Sequence, residues 1–493
     1  MSLAMSENSS PPPRAKRRFS ERKARTLEQA DQLAASRDEW IERHRFFYEE
    51  DWRYLRFLVP EGQKVLDLGC GTGALLNALR PGVGVGIDFS AAMIERAKAA
   101  HPSLQFIQGD VEDLDSVAGL QGPFDVIVMS DTIGSLDDCE ETFRSLHRFC
   151  SPDARIIVNY HTRLWEPFSA LYGWLARKRA APKANWLSGQ DIANLLELAD
   201  FDVVKREWRI LSPFHLLGLG RLLNRFIAPL PIIRKLCLRN YVVARMKPNA
   251  AAIPLNSASV IIPCRNERGN IEPAVQRVPQ FCKDIEIIFV EGGSADGTWE
   301  EIQRVIGAYP NANIKAIKQT GKGKGDAVRV GFGLAQKDVL MILDADLTMP
   351  PEDLPKFYRA LADGKGEFIN GSRLVYPMEK EAMRFLNLLA NYIFALLFTY
   401  LLNQRYTDTL CGTKVLSKKN YQQIADNRAY FGDFDPFGDF DLIFGASKLN
   451  LKTAEVPIRY AAREYGETQI SRFRHGWLLL RMVVFAFRKL KMV

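Results

Sequence analysis

At 493 residues the chain is too long for one ordinary core, and at roughly 150 residues per domain it divides into two large domains. Apolar residues at 47% and charged residues at 25% match the globular average, which excludes a chain disordered throughout. The formal charge of +8 is modest and its basic residues gather at the two ends, so no nucleic-acid partner is expected. The seven cysteines form no CxxC pair, which argues against a disulfide framework or structural zinc and fits a reducing cytoplasm.

Residues 1–30 are predicted as a disordered basic tail, because Ser9-Ser10-Pro11-Pro12-Pro13 leads into Arg14, Lys16, Arg17, Arg18, Arg22, Lys23 and Arg25 with nothing to pack. The tail lacks the apolar stretch of a secretory signal. From Lys64 to about Ser212, apolar runs at 65–68, 85–88, 126–129 and 156–158 alternate with amphipathic stretches, the pattern of a parallel sheet covered by helices. A last strand, Tyr241-Val242-Val243-Ala244, ends a domain at 31–247, and Lys247-Pro248-Asn249 opens a linker at 248–256. A second strand-first series, at 260–262, 285–290 and 339–343, predicts another α/β domain over 257–472. With a complete nucleotide motif in each half, the two domains are expected to fold independently.

Asp67-Leu68-Gly69-Cys70-Gly71-Thr72-Gly73 turns the first strand into a helix and lets a ligand approach backbone amides. About 20 residues on, a strand ends in Asp88, where doubly wound folds hold ribose hydroxyls, and the next delivers Asp110. The glycine order does not fit the GxGxxG fingerprint of nicotinamide-binding domains. This set resembles the class I S-adenosylmethionine-dependent methyltransferases over residues 40–247. The resemblance implies a Rossmann-like domain binding S-adenosylmethionine, with Asp88 on the ribose, Asp110 beside the adenine amine, and Gly69 and Gly71 bordering the amino-acid end. Asp67 is either part of that site or structural. Methyl transfer from a sulfonium is an in-line displacement that positioning can suffice to drive, so His161 is either a base or a hydrogen-bonded bystander.

In the second series the strand at 339–343 runs into Asp344-Ala345-Asp346, two carboxylates that can converge on one hard cation and its diphosphate. With Pro263-Cys264-Arg265-Asn266-Glu267 and Glu291-Gly292-Gly293-Ser294, this is similar to the family 2 glycosyltransferases of GT-A fold over residues 257–470. Gly371-Ser372-Arg373, Asp408-Thr409-Leu410-Cys411-Gly412-Thr413-Lys414, Asp439 to Leu442 and Arg463-Glu464-Tyr465-Gly466-Glu467-Thr468 resemble the polyprenyl-phosphate (dolichyl-phosphate) branch. The resemblance implies a UDP- or GDP-linked sugar donor bordered by Pro263, Glu267, Glu291, Lys322 and Asp326, with Mg²⁺ or Mn²⁺ on Asp344 and Asp346. A phosphate acceptor is already an anionic nucleophile, so cations are needed more than a base, and Arg373 and Arg463 are the candidates. Two departures from the family pattern stand out: Gly292 replaces a second acid, and Thr468-Gln469 replaces Ser-Lys.

The uncharged stretch at 385–402 predicts an interfacial or a buried helix, and the basic apolar segment at 473–493 predicts a helix lying on anionic lipid. The expected protein is a bifunctional enzyme, peripherally attached to the cytoplasmic face of a membrane, that glycosylates a lipid-linked phosphate and methylates a pathway-related substrate. Two alternatives remain. One is a glycosyltransferase for a saccharide hydroxyl, with Asp408 or Asp441 as base; the other is a scaffold with one degenerate domain.

Overall fold

The computed structural model describes residues 20–166, 185, 187–247, 255–375, 385–431, 440–461, 463, 465 and 472–493, and the side chains of 385–389 and 472–475 are not among those described. The predicted tail at 1–19, the linker at 248–254, Asp439 and Thr468-Gln469 lie outside them.

The first domain is built on a seven-stranded sheet of order β3-β2-β1-β4-β5-β7-β6. Its strands are β1 (Lys64–Leu68), β2 (Val83–Asp88), β3 (Gln105–Gln108), β4 (Phe124–Ser130), β5 (Cys150–His161), β6 (Phe201–Arg209) and β7 (Arg239–Met246). The first five run parallel, as the alternation of apolar runs predicts, whereas β7 lies antiparallel between β5 and β6. Strand direction is invisible in an apolar run, and an antiparallel neighbour needs no helical crossover. The order reverses between β2-β1 and β4, which places the crevice for a ligand outside the carboxyl ends of β1, β2 and β4.

The second sheet has order β10-β9-β8-β11-β13-β12-β14. It comprises β8 (Ser257–Cys264), β9 (Asp284–Glu291), β10 (Ile314–Lys318), β11 (Val339–Ile342), β12 (Phe368–Ser372), β13 (Lys414–Ser417) and β14 (Thr453–Pro457). Strands β8 to β11 pair in parallel, and β13 reverses direction against both β11 and β12. The switch falls between β8 and β11, so the ends carrying Cys264 and Ile342 open onto the second candidate site.

Two expectations change here. Residues 21–30 are helical, inside a helix at Glu21–Ala34 whose N-terminus is capped by the Ser20 hydroxyl accepting from Lys23 N–H. The helix is highly charged, and tertiary contacts hold it: Lys23 is buried against Asp110 and Glu112, and Ser90 hydroxyl bonds Asp31 at 2.5 Å.

The domains also share a core instead of standing apart. One apolar cluster contains Val65 and Val126 from the first sheet together with Ile261, Leu340, Phe398 and Phe444 from the second domain. Polar contacts surround it: Arg155 on β5 forks onto Glu367 at 2.8 and 3.0 Å, Arg245 donates to Gly364 O at 2.8 Å, and Asn450 donates to Leu58 O at 3.0 Å. Buried beside them is Glu207 on β6, which accepts from Lys491 at 2.5 Å and from Asn403 at 2.6 Å. Burial alone would raise its pKa, yet Lys491 and Arg209 outweigh burial and hold it at about 2.

Glu207→Ala leaves Lys491 and Arg209 buried without their counter-charge and is expected to cost about 3–5 kcal/mol. A urea titration followed by fluorescence checks this, and an unchanged midpoint rules out the network as interdomain glue. The same contacts predict that a chain cut between residues 248 and 256 stays associated.

Candidate active sites

In the first domain, β1 delivers Asp67 and the loop 69–73 into the switch-point crevice. Gly69 has φ +79°, and a Cβ there would lie 2.1 Å from Thr132 Oγ1, so only glycine fits the turn. Gly71, at φ +53°, would meet nothing within 4 Å; the loop faces open space where a ligand can come against its backbone. Asp88, at the end of β2, is buried and accepts from Gly71 N–H and Ser90 N–H, both at 2.9 Å. It thereby ties the glycine loop to the second strand.

Asp67 is 1% exposed, and one of its carboxylate oxygens has no hydrogen-bond partner, as does the Thr72 hydroxyl in the same loop. Burial, and then the charge of Asp88, pushes the Asp67 carboxyl up to about 7. An orphaned buried acid beside an open glycine loop fits a cationic ligand such as a sulfonium with its amino-acid end. Asp110 lies after β3 and is held by Lys23 at 2.6 Å, so the N-terminal helix closes that side of the crevice.

Beyond β4, β5 and β7 a cluster joins His161 and Asp131 to Arg239 and Asp51. Arg239 is fully buried and bonds Asp51 at 3.1 Å and Asp131. Asp131 has φ +62°, a left-handed backbone that a non-glycine residue adopts at a cost, and strain of this kind concentrates at functional sites. His161 stands 3.6 Å from Asp131 and stacks on Phe47. Burial holds its pKa below the usual histidine value, although Asp131 pulls the other way.

In the second domain, β11 ends next to Asp344 and Asp346. Asp344 is bonded by Lys324 at 2.6 Å; burial would raise its pKa, but Lys324, Lys414 and Arg373 together hold it below the usual carboxylate range. Asp346 accepts from Thr348 N–H and hydroxyl at 3.2 and 2.8 Å, and its other oxygen takes Arg463 at 2.7 Å. Arg463 also donates to Glu267 at 2.9 Å, making a clamp between the end of β8 and the end of β11. Two carboxylates at one strand end are hard oxygen donors and fit Mg²⁺ or Mn²⁺ chemically, with the diphosphate of a donor completing the shell. Lys324 and Arg463 now supply the positive charge that such an ion would share.

Other predicted residues are placed differently. Glu291, buried at the end of β9, is turned onto Ser294 N–H at 2.5 Å, while Pro263 lies in β8 itself. Lys322 is exposed, and the cation that reaches Asp344 is Lys324; Asp326 closes the loop by accepting from Gly321 N–H at 3.0 Å. Arg373 forks onto Asp408 at 2.7 and 2.9 Å, and Asp408 also accepts from Arg373 N–H and Leu410 N–H. Asp441 accepts from Arg428 at 2.8 Å and lies 4.0 Å from Arg329, joining two helices.

Family comparison divides the chain as the two sheets do. Residues 41–206 match the methyltransferase domain family, and residues 259–423 match glycosyl transferase family 2. The chain is a methyltransferase domain fused to a family 2 glycosyltransferase domain. Among curated relatives, the dolichol-phosphate mannosyltransferase of Pyrococcus furiosus is 42% identical over 120 residues, 24% of this chain and 33% of that protein. That of Saccharomyces cerevisiae is 38% identical over 111 residues, 21% of this chain and 41% of the relative. The undecaprenyl-phosphate 4-deoxy-4-formamido-L-arabinose transferase of Pseudomonas fluorescens is 24% identical over 231 residues, 45% of this chain and 62% of the relative. The chain thus spans between a third and two thirds of the length of these relatives.

Among solved structures, an S-adenosylmethionine-dependent methyltransferase from Thermotoga maritima matches with a TM-score of 0.36 at 19% identity, covering 45% of this chain and 100% of its own. A glucosyl-3-phosphoglycerate synthase from Mycobacterium tuberculosis, solved with Mn²⁺ and UDP, matches with a TM-score of 0.35 at 16% identity, covering 48% of this chain and 80% of its own. In the methyltransferase domain the residues missed by sequence reasoning are Asp51 and Arg239, with Lys23 as the partner of Asp110; in the glycosyltransferase domain they are Lys324 and Lys414 as cations. Lys324 and Lys414 lay inside motifs already singled out, so their charge was the available signal. Asp51 and Arg239 are 188 residues apart, and no local pattern links them.

Proposed function

We propose that the glycosyltransferase domain moves a sugar from a UDP- or GDP-linked donor to a polyprenyl phosphate at a membrane surface. The methyltransferase domain uses S-adenosylmethionine to methylate a substrate of the same pathway. The observation that carries the acceptor class is where charge is committed. Both carboxylates considered as bases for a hydroxyl acceptor, Asp408 and Asp441, are locked onto arginines, and Arg373 keeps Asp408 well below the usual carboxylate range even though burial opposes it. Asp408 so paired is a poor proton acceptor, and Asp441 is committed to the link between two helices. A phosphate nucleophile needs no such base, and Lys324, Lys414 and Arg463 around the two aspartates suit an anionic acceptor facing an anionic donor.

Held by Asp344 and Asp346, a divalent cation would supply Lewis-acid stabilisation of the leaving diphosphate. The chain's own groups do the rest. Arg463 couples Glu267 to Asp346 and is the cation placed to move onto a phosphate; Arg373, fixed by Asp408, acts as a positioning residue instead of seating the acceptor. In the other domain Asp88 holds the loop for the cofactor's ribose end. His161, neutral near pH 7 and oriented by Asp131 and Phe47, is the group placed to take a proton from a methyl acceptor.

The test is mass spectrometry of reactions containing the full chain, polyprenyl phosphate, a divalent metal and either UDP- or GDP-sugars, with and without S-adenosylmethionine. A glycosyl-phospho-prenol that gains a methyl group when the cofactor is present is expected. Transfer to saccharide hydroxyls alone would instead establish the hydroxyl-acceptor alternative, and loss of donor turnover in every arm would leave a scaffold.

A further inference from the structure

Residues 210–238, the connection from β6 to β7 in the methyltransferase domain, contain four cations (Arg221, Arg225, Arg234 and Lys235) and no acid. Their apolar side chains point outward: Leu217 is fully exposed, Ile232 is 82% exposed, and Phe214, Leu219, Leu222 and Leu236 are exposed as well. Leu216 and Leu217 both hold positive φ, 45° and 53°, so this apolar tip is also strained. Single exposed leucines are ordinary on a protein surface, but a run of this kind in one connection is not.

The segment does not stand alone. Tyr400 hydroxyl bonds Pro229 O, and Arg234 stacks on Tyr400 and donates to Asn403 at 3.3 Å, so the connection docks against the helix Phe385–Leu402 of the other domain. That helix buries Ala395, Phe398, Leu401 and Leu402 and leaves Tyr392, Ile393 and Leu396 exposed. Next to it the helix Arg472–Ala486 exposes Trp477, Leu480 and Val484. Between that helix and residues 225–226 runs an open groove of about 1120 Å³, apolar along its floor, with Arg225, Arg481, Arg488 and Lys489 in its lining. Three segments from distant parts of the chain therefore converge on one face, and none of the three contains an acidic residue.

We propose that residues 210–238 are a membrane-docking element of the methyltransferase domain, and that with the two helices they seat both domains on one anionic bilayer. Apolar side chains would enter the headgroup boundary while the arginines and lysines meet lipid phosphates. The charge pattern selects this occupant: three segments that mix exposed apolar side chains with cations and themselves contain no acid complement an anionic amphiphile, although Arg221 also lines a groove with Glu42, Glu49 and Glu50, whereas a second copy would bring the like charges of these segments together. The inference rests on the proposed function and extends it by seating the methyltransferase domain itself on the bilayer that presents the lipid-linked substrate.

Flotation of the full chain with phosphatidylcholine vesicles, with and without phosphatidylglycerol, tests it. Leu217→Asp combined with Ile232→Asp should weaken partition to the anionic vesicles by roughly tenfold or more, because two exposed apolar anchors are lost and two like charges added. Arg221→Glu with Arg225→Glu should abolish the preference for anionic over neutral vesicles. All four positions lie outside both catalytic sites, so sugar transfer to a short, water-soluble prenyl phosphate should remain at the wild-type level. Wild-type partition of both variants overturns the docking element. Light scattering that shows a wild-type dimer broken by the leucine–isoleucine variant, without loss of vesicle binding, overturns it in favour of a contact between copies. Absence of transfer to the soluble acceptor by the wild type counts against the glycosyl-transfer reading and leaves the flotation result standing.

Discussion

Asp346→Asn is expected to lower sugar transfer by about 1000-fold, the several kcal/mol that a metal carboxylate would contribute where charge develops on a leaving diphosphate. The substitution keeps the shape of a side chain that accepts from Thr348 at 2.8 and 3.2 Å, so the fold around β11 is retained. What disappears is the negative charge that balances Arg463 and that a divalent ion would require. Steady-state transfer measured across a metal titration separates the two losses. If the metal matters, the variant needs far more Mg²⁺ or Mn²⁺ to reach even its residual rate; transfer by the parent protein that survives a chelator would remove the metal from the reading altogether. Cofactor binding in the other domain should be unaffected.

Asp88→Ala is expected to lower S-adenosylmethionine affinity by about 100-fold or more, since each hydrogen bond to a charged group is worth about 1.5–3 kcal/mol and this carboxylate also anchors the loop through Gly71 and Ser90. Calorimetry reads it, with sugar transfer as the control that both domains remain folded. The same titration carries a pH signature from Asp67. Its carboxyl, pushed up to about 7 chiefly by burial, is protonated below that value and anionic above it. A cationic ligand prefers the anion, so affinity should climb by roughly tenfold per pH unit towards pH 7 and level off beyond it. Asp67→Asn should flatten the climb, and a slope that survives this change would assign it to another group.

How far the sequence reached can be argued from these same residues. Asp88, Asp110, Asp344 and Asp346 were legible because a strand end followed by a turn fixes where a carboxylate goes, and that geometry depends only on neighbours in the chain. Family resemblance then supplied the two chemistries, and the methyltransferase and glycosyl transferase family 2 matches agree with it. Strand direction in β7 and β13 was not legible, because apolar runs carry no polarity.

The N-terminal helix illustrates the other limit. Residues 21–30 read as a disordered continuation of the basic tail, yet Lys23 finds Asp110 and Glu112 some 87 and 89 residues away, and the ion pairs order a helix that its composition alone would not. Arg373 and Asp408 show the same effect at the second site: each was a sensible candidate by itself, and the structure joins them in a 2.7 Å contact that no local pattern announces.

By itself, then, the sequence determined the two fold classes and the strand-end carboxylates, since these are set by local order along the chain, while resemblance to two families implied the cofactor and donor chemistries. Only the tertiary structure decided which charges remain available, that the domains share one core through Glu207, Lys491, Arg155 and Glu367, and that three acid-free segments lie on one face. Those are properties of pairs of residues brought together across as many as 392 positions, and the free energy that selects them comes from burial and desolvation, which exist only once the chain has closed on itself.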